Sequence, residues 1–179
     1  MSDGWQRDLY VKSSPIHGLG VFARRTFATG ETILVRDERP VTPEHPLDEA
    51  AGEHEYHCDW LEEQRQVYLG FPERHVNHSC DPNAFTRFED GRSSLVALRP
   101  IRPGEEIADH YGVNLWDGVA WDCNCGAQRC LGRVPGDFFS LPLDLKIELE
   151  PLLAAWFKEE HAAEYEAFLR ESGLEEVLR

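Results

Sequence analysis

The chain has 179 residues, enough to bury one sizeable core and too few for two full domains. Its 18 Lys and Arg stand against 33 Asp and Glu, and the resulting formal net charge of -15 repels a phosphate backbone, so nucleic acid is not expected as a direct partner. A basic protein or peptide, or a small amine, suits that field better; no apolar run approaches the roughly 18 to 20 residues that span a bilayer, so no membrane partner is expected either. The opening MSDGWQRDLY has neither a basic n-region nor an apolar h-region, so an intracellular location, cytoplasmic or nuclear, is expected. In that compartment five cysteines, an odd count, read as free thiols or metal ligands rather than as a disulfide framework.

In chain order, residues 10–35 carry short β-type runs at 20–23 and 32–35, broken by glycines and by the turn signal ATGE. Residues 36–55 hold three prolines and many acids and read as an exposed loop or insert, more a solvated linker than a specificity element. The stretch RHVNHSCDPN at 74–83 crowds two histidines, a cysteine and two asparagines in front of a strand starting at Ala84. A loop with satisfied polar groups, a metal site and a small-molecule cradle all compete there. Residues 84–111 alternate strand and turn: AFTRF, the turn EDGR, SSLVALRPI, the turn RPGE, and EIADHY.

Three of the cysteines fall in CNCGAQRC, as Cys123, Cys125 and Cys130, with Gly126 permitting a tight turn. Three soft thiolates so close together suit a tetrahedral zinc site lacking one ligand, for which Cys80, Cys58, His57, His78 and His110 are all candidates. Closed by four protein ligands, such a zinc is structural. Beyond Pro142 the chain is rich in Leu, Ala and Glu, with Leu149, Leu152, Leu153, Trp156 and Phe157, then Tyr165, Phe168 and Leu169, at helical spacing. Two or three helices are expected, with Pro151 at a break or a first turn.

Four pieces, HGLGVFA (17–23), RHVNHSCDPNA (74–84), RPGEEIADHYG (102–112) and CNCGAQRCLG (123–132), resemble in order the motifs of SET-domain lysine methyltransferases, the last being similar to a post-SET zinc segment. The resemblance covers roughly residues 8–139. It implies a mainly β fold with some α: short β-sheets with a pseudoknot that brings 77–80 beside 106–111. The SET domain is then expected at 8–117 with an insert at about 36–73, the post-SET segment at 118–139 and a helical extension at 140–179.

The same resemblance implies methyl transfer from S-adenosylmethionine to a lysine amine of a protein or peptide, with a small-molecule amine, or a catalytically silent interaction module, as alternatives. Cofactor contacts carry over to Gly18, Leu19, Gly20, Arg74, Asn77, His78, Tyr111 and Phe138, with Tyr111 catalytic. Asp109 and Phe139 carry over to the substrate channel, and Cys80, Cys123, Cys125 and Cys130 to one structural Zn2+. The sequence also departs from the family pattern. Asp109 stands where an aromatic is usual, Phe71 replaces an asparagine, and His75 replaces a phenylalanine. An Asp109 facing the channel would bind an ammonium and oppose its deprotonation; an Asp109 turned outward or bonded to His110 would not.

Overall fold

Short strands dominate the computed structural model, which describes residues 4–89 and 91–176. The chain divides into two units: one holds the chain up to His110 together with Asn124–Cys130, the other Tyr111–Cys123 and the chain from Leu131 on.

The first unit contains β1 (Leu9–Ser13), β2 (Leu19–Ala23), β3 (Thr32–Val35), β4 (Glu38–Pro40), β5 (Cys58–Leu61), β6 (Arg65–Leu69), β7 (Asn77–His78), β8 (Ala84–Glu89), β9 (Arg92–Ala97) and β10 (Glu106–Asp109). They assemble as three sheets, β1-β2-β10-β7, β3-β9-β8 and β4-β6-β5. The turn expected at EDGR closes the β8–β9 hairpin, with Glu89 opposite Arg92. In the first sheet β2 lies between two neighbours and is buried from residue 20 to 23, which explains why it reads as a continuous small and apolar run instead of an alternating one. Leu9, Val21, Phe27, Ile33, Leu95, Ile101 and Ile107 share one core cluster.

The strand that matters most for the site is β10. It pairs antiparallel with β2 but parallel with β7, with Ala108 opposite Asn77 and Asp109 opposite His78. The adjacency implied by the family resemblance is therefore present where Asn77 and His78 meet Ala108 and Asp109.

Residues 36–55 differ from the solvated linker expected of them. Glu38, Arg39 and Pro40 pair with Leu69, Tyr68 and Val67, making β4 an edge strand, where a proline is tolerated because its missing N–H faces away from the ladder. The Arg36 side chain is only 4% exposed, with ion pairs to Glu38 at 3.2 Å and Asp59 at 2.7 Å. A guanidinium cannot be buried without such partners, so one of the acids that suggested solvent, Glu38, is its counter-charge.

In the second unit β11 (Trp121–Asp122) and β12 (Arg133–Val134) form a small antiparallel pair, followed by α1 (Leu143–Leu149), α2 (Ala155–Glu160) and α3 (Ala162–Ser172). Leu149, Leu153, Phe157 and Phe168, four of the apolar positions picked out by spacing, are buried. Pro151 sits in the 3-10 turn Glu150–Leu152 after α1, at a first-turn position where its missing N–H costs nothing. The buried Glu150 carboxylate accepts from Lys158 Nζ at 2.6 Å and from the Tyr165 hydroxyl at 2.5 Å. No helix among the described residues is long and apolar enough to cross a membrane.

Phe27 tests the core of the first unit. It is fully buried, exchanges two 3.0 Å backbone hydrogen bonds with Ile101, and carries the Arg25 guanidinium 4.0 Å above its ring. Phe27→Ala is expected to cost about 3–5 kcal/mol in urea unfolding. A loss below about 1 kcal/mol would remove Phe27 from the core.

Candidate cofactor and metal site

The site is built around β7. Asn77 Nδ2 donates to the carbonyls of His17 (3.2 Å) and Leu19 (3.0 Å) and to Glu106 Oε1 (2.8 Å). All three partners are acceptors, so the orientation of the amide is fixed by the network, and Asn77 Oδ1 has no partner among the described residues. The His78 ring is buried, edge-on to His110 at 4.8 Å, with Nε2 3.4 Å from Cys80 Sγ. Burial first, and the neighbouring His110 second, push its pKa down to about 3, so the ring is neutral at physiological pH.

Arg74 lies in the turn Glu73–His75 that precedes β7. Its Nη1 donates to the Tyr68 hydroxyl at 2.8 Å, its guanidinium lies 5.5 Å from the Phe71 ring, and its buried Nε has no hydrogen-bond partner.

The two glycines of HGLGVFA do different jobs. Gly18 has φ +47 and open space around it, so its need is conformational. A Cβ on Gly20 would meet Glu106 Oε1 at 2.2 Å. The room beside Gly20 is held by a carboxylate of the chain itself.

The thiols of Cys80, Cys123, Cys125 and Cys130 lie within 4.8 Å of one another. Zinc–sulfur bonds of about 2.3 Å in a tetrahedron separate sulfurs by about 3.8 Å, so this donor set could hold a metal ion after small adjustment. The Cys80 backbone N–H donates to Cys125 Sγ at 3.5 Å, and Arg129 pairs with Asp81 at 3.3 Å. Of the candidates for the fourth ligand, Cys80 completes the group. Cys58 instead lies in β5, where burial pushes its thiol up to about 11.

Tyr111 is 48% exposed, its ring 6.3 Å from that of Trp121. Phe138 is 0% exposed and makes edge contacts with Phe139, Phe157 and Phe168 at 5.4 to 6.3 Å. Phe139 is half-buried, stacked on Phe157 and edge-on to Trp116.

Asp109 is half-buried and hydrogen-bonds to His110 through the main chain: its Oδ1 accepts from the His110 N–H at 2.6 Å, while Oδ2 accepts from the Thr86 hydroxyl at 3.1 Å. Burial pushes its pKa up to about 6, against the pull of those two donors and of Arg36. Sequence reasoning missed Ser14, Arg36, Thr86 and Glu106. Only Glu106 lay inside a recognised motif, and nothing in its spacing marked it.

Residues 18–112, more than half of the chain, match the family model for the SET domain, and the chain belongs to that family. Human histone-lysine N-methyltransferase 2B is 33% identical over 132 residues, covering 67% of this chain and 5% of that protein. The H3 lysine-36 specific histone-lysine N-methyltransferase of Mycosarcoma maydis is 37% identical over 67 residues, 35% of this chain and 7% of that protein. The chain thus corresponds to a small part of these relatives. Among solved structures, KRYPTONITE in complex with mCHG DNA and SAH has a similar fold, with TM-score 0.53 and 24% identity over 70% of this chain and 28% of that one.

Two outcomes are expected from this geometry. Protein purified without chelator should carry about one equivalent of a thiophilic divalent ion by elemental analysis, falling below about half in Cys80→Ser; equal metal in both would exclude Cys80 as a ligand. The second concerns Asp109, whose folded pKa of about 6 lies above the ordinary 3.8. An ionised carboxylate therefore disfavours the folded state, with the full effect above pH about 6 and none below pH about 4. Asp109→Asn should gain stability relative to wild type as pH rises from about 4 to about 6, and the difference should then level off. Denaturant melts at several pH values give the curve, and a flat difference would contradict it.

Proposed function

We propose that the chain transfers a methyl group from S-adenosylmethionine to the side-chain amine of a lysine in a basic protein or peptide. The observation that carries this reading is the parallel pairing of Asn77 and His78 with Ala108 and Asp109, beside the strand that runs into Tyr111, in a chain that matches the SET domain. The names of the relatives, histone-lysine methyltransferases, support the reaction class.

Bound S-adenosylmethionine would supply a methyl group activated on a positively charged sulfur. The backbone of Gly18, Leu19 and Gly20, with Arg74, Asn77 and His78, would hold it. The residues fit a ligand rich in donors and acceptors: Asn77 keeps Oδ1 open, and Arg74 keeps a buried Nε–H without a partner.

The rest of the work falls to the chain's own groups. A lysine has an ordinary pKa of about 10.4, so the site must desolvate the amine and let its proton leave to water. Tyr111 would orient the amine by its hydroxyl and favour positive charge as it shifts along the reacting axis. Both carboxylate oxygens of Asp109 already accept hydrogen bonds from the protein, which weakens its competition for an incoming ammonium. The formal charge of -15 favours encounter with basic segments. We assign a structural role to zinc held by Cys80, Cys123, Cys125 and Cys130, because four protein ligands leave no open position for chemistry.

The test is incubation with isotopically labelled S-adenosylmethionine and an array of lysine peptides. Wild type should label basic peptides, and Tyr111→Phe should label at a rate about 100-fold lower or less while still binding the cofactor in calorimetry. Wild-type protein that binds no cofactor, or a Tyr111→Phe variant with full activity, would overturn the proposal.

A further inference from the structure

We infer that Glu106 is a positioning residue: its carboxylate clamps the loop of residues 14–19 and the Asn77 amide into the form that receives the cofactor. The inference deepens the proposed function and rests on it for the identity of the ligand. The clamp itself stands on hydrogen bonds within one unit.

The Ser14 hydroxyl donates to both oxygens of Glu106, at 2.7 and 2.9 Å, and Asn77 Nδ2 donates to Oε1 at 2.8 Å. From these two side chains the order passes to the loop. Ser14 Oγ accepts from the backbone N–H groups of Ile16 (2.9 Å) and His17 (3.4 Å), while Ser14 N–H donates to the Gly18 carbonyl at 2.9 Å. Asn77 Nδ2 holds the carbonyls of His17 and Leu19. Four main-chain groups of residues 16–19 are thus fixed by two side chains, and both side chains are anchored to one carboxylate.

Glu106 is itself well placed to anchor. It sits on β10 opposite Phe22 of β2, and its carbonyl accepts from Asn83 Nδ2 at 2.8 Å. Gly20 completes the device, since a Cβ there would lie 2.2 Å from Oε1 and push the carboxylate away. A carboxylate suits the position because every group directed at it is a donor. A glutamine would turn its NH2 toward one of them, and charged acceptors bind donors more strongly than neutral ones.

The experiment compares wild type with Glu106→Ala, Glu106→Gln and Ser14→Ala by amide hydrogen exchange and by calorimetry with S-adenosylmethionine. In Glu106→Ala, exchange at Ile16 and His17 should rise at least about tenfold and cofactor affinity should fall at least about tenfold. Glu106→Gln and Ser14→Ala should shift both readouts in the same direction by less, and their effects should be non-additive when combined. A purely structural role would lower the unfolding midpoint without raising exchange selectively at 14–19. Gly20→Ala should displace the carboxylate and shift both readouts in the direction of Glu106→Ala.

Unchanged exchange and affinity in Ser14→Ala and both Glu106 variants would overturn the clamp. Should Glu106→Ala fail to fold, Ser14→Ala and Glu106→Gln decide the matter. Wild-type protein that binds no S-adenosylmethionine would defeat the proposed function and leave the clamp to be judged by exchange alone.

Discussion

A strand of two residues cannot hold its own position, and the candidate site depends on one. β7 is fixed from the side by the parallel ladder to β10 and then by main-chain bonds that continue it, with Ser79 N–H donating to the Asp109 carbonyl at 2.8 Å and Asn83 N–H to the Ala108 carbonyl at 3.1 Å. The Asn83 side chain adds two more rungs, accepting from Ala108 N–H and donating to the Glu106 carbonyl. An asparagine amide carries the same donor and acceptor as a peptide group, so it extends a ladder past the point where the backbone turns away. The DPN ending of RHVNHSCDPN therefore contributes more than a turn: its last residue locks the strand before it.

Charge is managed in the same local fashion. A chain with a surplus of acids still buries a guanidinium at Arg36, and the groups around it are carboxylates of Glu38 and Asp59, with Asp109 near enough to act on its charge. Glu38 also accepts from the Ser93 hydroxyl. The burial that raises the Asp109 pKa and the cation that lowers it act on the same side chain, and the value of about 6 shows that burial wins. Asp109 is thus a costly residue at a position where the family resemblance leads one to expect an aromatic. Its hydrogen bonds to Thr86 and to the His110 N–H show how it is accommodated.

Local chemistry was legible in the residues themselves; pairing at a distance was legible only where the family resemblance supplied it. The β8–β9 hairpin followed from EDGR between two β-rich runs, and Pro151 with the apolar spacing after it placed the helical segment. The C-x-C-x4-C pattern announced a metal-binding donor set, and only the family resemblance singled out Cys80 as the fourth donor. Nothing in residues 36–69 revealed the β4-β6-β5 sheet, because its strands are short and their partners are set by register, not composition. The room beside Gly20 is filled by Glu106, more than eighty residues later in the chain. Such a pairing leaves no periodicity for a reader of sequence to find.

β7 also joins two kinds of order. Asn77 and His78 belong to the strand that would face the cofactor, and Cys80, two residues on, belongs to the thiol group. Asn124–Cys130 contains no strand or helix among its own residues, so its conformation depends on few backbone bonds, such as Cys130 N–H to the Ala127 carbonyl at 3.0 Å. A metal that gathers four thiolates contributes its binding energy to folding, and here that energy would fall on this segment and on the turn after β7. With the proposed zinc removed, the thiolates would repel or protonate, Cys80 would lose its tether, and the His78 ring beside its sulfur would lose a fixed neighbour. The ladder to β10 would remain, held by Asn83. The loop of residues 14–19, fastened through Asn77 to Glu106, would keep its attachment on the β10 side.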